Sequence, residues 1–195
     1  MKKLLSLLLA ALLCVCALTP VMAEDSLSAL FNSLNTTAEA FPYTISDYQT
    51  YFNILSLNVI QVNPVWTTEG NTATAVLEGY GDVVVEANAD GYVTKLTTGM
   101  TVGTSDTESA NKLGMLVALV AMTSKATEDI SFFSENSDGF TQELLSVLFA
   151  LMGDITSAME APVSSTGEVY GDTVTFTLSV NATDMTMELG LIYEP

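Results

Sequence analysis

The 195-residue sequence contains no histidine and no arginine, and its only cysteines are Cys14 and Cys16. Histidine is the commonest general base, and the cysteine thiolate is the strongest side-chain nucleophile. A Ser–His–Asp triad, a papain-like Cys–His pair and a His-ligated zinc site are therefore excluded. Basic residues are almost as scarce: five lysines stand against 23 acidic residues. DNA, RNA and anionic lipid are held through Lys and Arg, so the balance argues against all three as partners. The acids are scattered and form no runs, which points to a solvated acidic surface and not to a disordered tail.

The N-terminus reads as a secretory signal peptide. Lys2 and Lys3 precede an apolar run of fifteen residues, Leu4–Leu18, and Val21-Met22-Ala23 places small residues at −3 and −1 of a cleavage site. The run is short for a bilayer span of about 20 residues. Cys14 and Cys16 lie inside it behind Leu13 and Val15, where lipid attachment would require a small residue. Cleavage after Ala23 leaves Glu24–Pro195 as one exported domain, with three lysines, 23 acids and a net charge of −20. Such a chain makes no disulfide, even in an oxidising compartment. The short Met-Lys-Lys start suggests a bacterial source. The expected location is secreted or extracytoplasmic, with no membrane contact in the mature form.

Residues 173–180 alternate strictly between Thr or Ser and Val174, Phe176, Leu178 and Val180, the period of a half-buried strand. Met185, Met187, Leu189 and Leu191 repeat the alternation. A 181–184 loop predicts the pairs Val180–Met185, Leu178–Met187, Phe176–Leu189 and Val174–Leu191, all on one face. A second set of strands occupies 72–102. Ala73, Ala75 and Leu77 alternate first, then Val83, Val85 and Ala87. The turn Asn88-Ala89-Asp90-Gly91 follows, and Tyr92, Leu96, Met100 and Val102 continue on the return strand. Tyr80-Gly81-Asp82 and Tyr170-Gly171-Asp172 open the two hairpins, which raises internal duplication as one reading. Trp66 reads as an anchor at the edge of the core.

Helical spacing is seen at 25–40, through Leu27, Leu30, Phe31 and Leu34. It returns after an N-cap at Thr44 with Asp47 three residues on, through Tyr48, Tyr51, Phe52 and Leu55. Ser105-x-x-Glu108 reads as a capping box ahead of the apolar run Leu113–Met122, which is too short to span a bilayer and reads as a buried helix. A short helix is expected at Thr127–Phe133, a polar loop at Ser134–Gly139, and a second buried helix from Phe140 to a cap at Gly153. The fold class is therefore α+β: an antiparallel sheet of about five to six strands (the 72–102 meander and the 166–192 hairpin), with apolar helices on one face and a Thr-rich face open to water.

Two short motifs invite chemistry. Ser109-Ala-Asn-Lys112 matches the S-x-x-K of serine acyltransferases, but no K-T-G or S-D-N accompanies it. Glu86-x-Asn88-x-Asp90-Gly91 matches the first half of a calcium loop, but Thr97 stands where the bidentate Glu belongs and strands flank it. Glu86, Asn88 and Asp90 are thus a candidate for weak Ca²⁺ binding, and no other cofactor is implied. The expected function is non-catalytic: an extracytoplasmic binding or surface protein with a protein or cell-envelope partner. The alternatives are a carboxylate-dependent extracellular hydrolase and a structural or adhesive protein with weak Ca²⁺ sites.

Overall fold

A computed structural model describes residues 40–103, 106–152, 157–181, 183 and 186–195. The expected signal peptide, nearly all of the 25–40 helix, and the caps at Ser105 and Gly153 lie outside the described residues. The elements are α1 (Ile45–Val59), β1 (Val65–Glu69), β2 (Thr72–Leu77), β3 (Gly81–Ala87), β4 (Val93–Gly103), α2 (Thr107–Glu128), α3 (Phe132–Met152), a 3-10 turn at Ser157–Met159, β5 (Val163–Val169), β6 (Asp172–Asn181) and β7 (Thr186–Glu194). The strands form one antiparallel sheet of seven in the order β1-β2-β3-β4-β7-β6-β5. The α+β expectation holds, with seven strands where about five to six were expected, the additions lying at the edges. β1 was hidden because Trp66 is its one residue that is not fully exposed, and β5 because Ser164-Ser165-Thr166-Gly167 shows no apolar alternation.

The inward face of the sheet carries Ala73, Ala75, Leu77, Val83, Val85, Val93 and Leu96, and further on Val174, Phe176, Leu178, Leu189, Leu191 and Tyr193, all buried. Each large apolar side chain there contributes about 1.5–3 kcal/mol. The hairpin register is two residues from the expected one: Val180 faces Met187, Leu178 faces Leu189, Phe176 faces Leu191 and Val174 faces Tyr193. Asn181 still pairs, with Thr186, so the loop sits one residue later than 181–184. A two-residue slip preserves the alternation, so every inward residue stays inward and Tyr193 joins them. The other return strand is corrected by a bulge at Glu86/Ala87, where Thr94 is the extra residue: Ala87 pairs with Val93 and Glu86 with Lys95. Parity shifts there, so Val93 and not Tyr92 points inward.

α1 begins as expected. The Thr44 hydroxyl accepts from the Asp47 N–H (3.3 Å), and Asp47 Oδ2 accepts in return from the Thr44 N–H (2.9 Å). α2 is capped by Asp106, whose carboxylate accepts from the Ser109 N–H (3.0 Å). An ionised cap suits the positive end of a helix dipole. The central run of α2, Leu116–Met122, is buried throughout, and burial continues through Thr123 and Thr127. Their hydroxyls donate to the carbonyls of Leu119 (2.7 Å) and Thr123 (2.6 Å), which removes the cost of burying them.

The polar loop expected at 134–139 is helix. The break between α2 and α3 is only the Asp129–Ser131 turn, held by the Ser131 N–H on Asp129 Oδ1 (2.9 Å). Ser, Asn, Asp and Glu suit the first turns of a helix as well as they suit a loop, so composition alone misleads here. Gly139 inside α3 lies against the Tyr170 hydroxyl, closer than a Cβ would permit. Tyr170 (φ 50°) and Gly171 (φ 89°) are the central residues of a two-residue turn between Val169 and Asp172, with positive φ at both, as a type I′ turn needs. Leu77 and Gly81, by contrast, close a three-residue loop, and Asp82 is exposed where Asp172 is buried. The two Tyr-Gly-Asp triplets are therefore not structural equivalents.

A chain of aromatic rings ties α1 to the sheet. Tyr193 stacks with Phe41 (5.9 Å between centroids), Phe41 with Tyr43 (5.1 Å), Tyr43 with Tyr48 (6.1 Å) and Tyr48 with Phe52 (5.7 Å). Phe52 meets Trp66 edge to face at 5.7 Å, and the Trp66 indole N–H donates to Asn53 Oδ1 (2.7 Å). The aromatic stripe of α1 is thus core, and Trp66 anchors strand β1.

Candidate binding face

Alternation that buries one side of each strand presents the other side to solvent. Two unbroken rows cross all seven strands on that side. The first is Thr67–Thr74–Val84–Thr97–Ile192–Thr175–Thr166. The second, one pleat away, is Val65–Val76–Asp82–Gly99–Gly190–Thr177–Ser164. Among the described residues, none of these is buried, and Val65 and Val76 are among the most exposed large apolar side chains. Among the described residues, the helices cover only the opposite side.

The chemistry of the face is hydroxyl, methyl and carboxylate. Thr166 and Thr175 share a hydrogen bond (2.9 Å), Thr67–Thr74 and Ser164–Thr177 pair on adjacent strands about 4.8 Å apart, and Thr97 stands between Val84 and Ile192. The two central strands are bare where Gly99 opposes Gly190. A Cβ on Gly190 would sit 2.7 Å from Thr177 Oγ1, so the glycine makes room for the threonine that leans across it. Glu69, Asp82, Glu86, Glu168, Glu188 and Glu194 also lie on this side of the strands. Against them stands Lys95, already paired with Glu86 (3.2 Å). At the β1 edge is an open concavity of ≈ 720 Å³, lined by Gln61, Val62, Asn63, Val65, Val76 and Glu78. Gln61 has a positive φ of 58°, uncommon for a residue with a side chain.

The residues singled out from sequence are engaged elsewhere. The Glu86 carboxylate turns to Lys95. Asn88 Oδ1 accepts from the N–H groups of Asp90 and Tyr92 (both 3.0 Å), so its oxygen closes its own turn. Asp90 is exposed at the tip. Among the described residues, no group of three or more acidic side chains is placed to hold a metal ion. Ser109 Oγ donates to Asp106 Oδ2 (2.7 Å), whereas Lys112 Nζ goes to Glu108 (2.8 Å) and lies over the Tyr80 ring (5.9 Å). The S-x-x-K residues thus serve a helix start and a surface ion pair, each with its own carboxylate.

A buried charge centre escaped the sequence reading. Lys125 Nζ lies 2.6 Å from Asp172 Oδ2 and 2.9 Å from Glu128 Oε2, and the Lys125 and Asp172 side chains are 6% and 8% exposed. Burial raises both carboxyl pKa values, and the Lys125 ammonium only partly offsets this. Burial also pushes the neighbouring Tyr193 and Tyr43 hydroxyls well above their ordinary range. The Tyr43 hydroxyl shares a 2.7 Å hydrogen bond with Ser124 Oγ. The one available clue was a lysine within an otherwise apolar and Thr-rich helix, which reads equally well as a solvent-facing residue.

The described residues define an open-faced α+β protein with helices packed on one side of an antiparallel sheet. No protein-family model, curated protein or solved structure matches the chain.

Proposed function

We propose that this protein is exported and works without catalysis, as an extracytoplasmic binding protein whose open sheet face receives a cationic protein partner of the cell envelope. The observation that carries the reading is the side of the seven-stranded sheet that no described helix covers. An exposed sheet face of β-branched and hydroxyl side chains offers both apolar contact and hydrogen bonding without large side-chain entropy to lose. Its acids, with one lysine already paired, favour a partner bearing Lys or Arg and steer its approach. The basic start, the apolar run and the Val-x-Ala motif support export.

A photo-cross-linking residue placed at Thr97 or Thr175, in the middle of the face, tests the reading, with Asn58 on the exposed side of α1 as control. In producing cells the two face positions should yield one shared adduct with a basic protein. Unlabelled wild type should compete it away and the Thr97→Arg variant should not. Equal adducts from Asn58, or no adduct from the face, would overturn the proposal. N-terminal sequencing of released material should begin at Glu24.

A further inference from the structure

We propose that Lys125, Glu128 and Asp172 form a buried proton-binding centre, which takes up a proton as the surroundings acidify and so tightens the attachment of α2 to strand β6. The geometry gives one ammonium to two carboxylates, at 2.6 and 2.9 Å. With both acids ionised the centre carries one surplus negative charge. The groups facing it add no cation. Asp129 continues α2 with another carboxylate, Tyr193 of β7 sits beside Asp172, and Tyr43, ahead of α1, reaches Ser124. Tyr193 and Tyr43 stay neutral. Lys95 and Lys112 are committed to Glu86 and Glu108 on the surface. A proton shared by the Asp172–Glu128 pair is therefore the available counter-charge. Glu128, with 22% of its side chain exposed, gives that proton access to solvent.

The sign follows from linkage. Both carboxyl pKa values are raised in the folded state, so the folded chain binds more protons than the unfolded chain between the ordinary carboxyl range and the raised values. Stability from this centre is fully present below that window and is lost as pH rises through it. Ordinary ion-paired carboxylates, whose pKa values fall on folding, have the opposite slope. Glu128 feels the Asp172 charge and both face one ammonium, so the proton is assigned to neither acid alone.

The test compares melting temperature from neutral pH down to the ordinary carboxyl range at constant ionic strength in wild type, Asp172→Asn and the exposed-site control Asp82→Asn. Relief of general acidic repulsion on lowering pH is common to all three. Asn at 172 mimics the protonated acid, so its gain on acidification should be less than half that of wild type, while Asp82→Asn should keep the full gain. Glu128→Gln should behave like Asp172→Asn. Calorimetric refolding just above the ordinary carboxyl range, in two buffers of different ionisation enthalpy, should show proton uptake in wild type and less in Asp172→Asn. An equal pH gain in wild type and Asp172→Asn, with equal proton uptake, would overturn the proposal and leave an ordinary buried salt bridge.

Discussion

Alanine at Gly139 tests how closely α3 is fitted to the Tyr170 turn. In a helix interior, Gly→Ala ordinarily stabilises by about 0.5–1 kcal/mol. Here the new Cβ would overlap the Tyr170 hydroxyl and lie 3.3 Å from Cζ and 3.6 Å from Cε2. Tyr170 is 37% exposed, but to withdraw, the ring must break the contacts that hold it. It packs edge-on against Phe132 at 5.0 Å and lies 6.3 Å from Phe140. Its backbone is fixed in a left-handed turn, and its N–H donates to Glu143 Oε2 (2.8 Å). Overpacking of this kind costs about 1–3 kcal/mol, so the net loss should be about 1–2 kcal/mol, or about 2–8 °C in Tm for a chain of this size. Tyr170→Phe removes only the overlapping oxygen. In that background Gly139→Ala should recover its helix propensity, giving a coupling energy of about 1–3 kcal/mol in a double-mutant cycle. Urea melts followed by circular dichroism measure all four corners. A stabilising Gly139→Ala in the wild-type background, or a coupling below about 0.5 kcal/mol, would refute the steric argument.

Leu178→Asp places a charge in the sheet's buried wall and should cost more than about 4 kcal/mol, whereas Thr177→Asp, on the open side, should cost about 1 kcal/mol; similar losses in urea melts would show that the faces are misassigned. Ser109→Ala and Lys112→Ala should leave Tm nearly unchanged, and mass spectrometry should find no fluorophosphonate adduct on Ser109 in the wild type. At matched ionic strength, Ca²⁺ and Mg²⁺ should raise Tm equally in wild type and Asp90→Asn, because Glu86 and Asn88 are otherwise engaged; a Ca²⁺-specific gain lost in the mutant would restore the turn as a cation site.

Strict alternation made β6 and β7 legible, since Phe176 and Leu178 have no other way to share a face. The slip of two residues in their register was not legible, because a period of two is blind to it and only the loop decides. Val93 was lost to a bulge, which periodicity cannot anticipate. The first turns of α3 were lost because polar residues that start helices also make loops. The open face followed from the Thr and Ser positions of β6, but its two rows needed the strand order, which joins residues from both ends of the chain. Lys125 and Asp172 are 47 residues apart and meet only through the packing of α2 on the sheet, so no local pattern could have paired them.

The last strand in chain order, β7, occupies the middle of the sheet, where it joins β4 to β6. Its partners on β4 lie about ninety residues earlier, as with Gly99 and Gly190. At synthesis rates of about 5–20 residues per second, the β1–β4 meander waits roughly 5–20 s for the strand that completes its hydrogen-bonded edge. During that interval β4 is an open edge, and the inward surface of the meander lacks half its sheet. Such a chain cannot complete its sheet until its last strand has emerged. Among the described residues, the strand order also makes β7 the only strand that bridges the two halves: a nonsense codon just before Thr186 would leave β4 and β6 with no strand between them, tied only through the helices, as by Lys125 of α2 on Asp172 of β6.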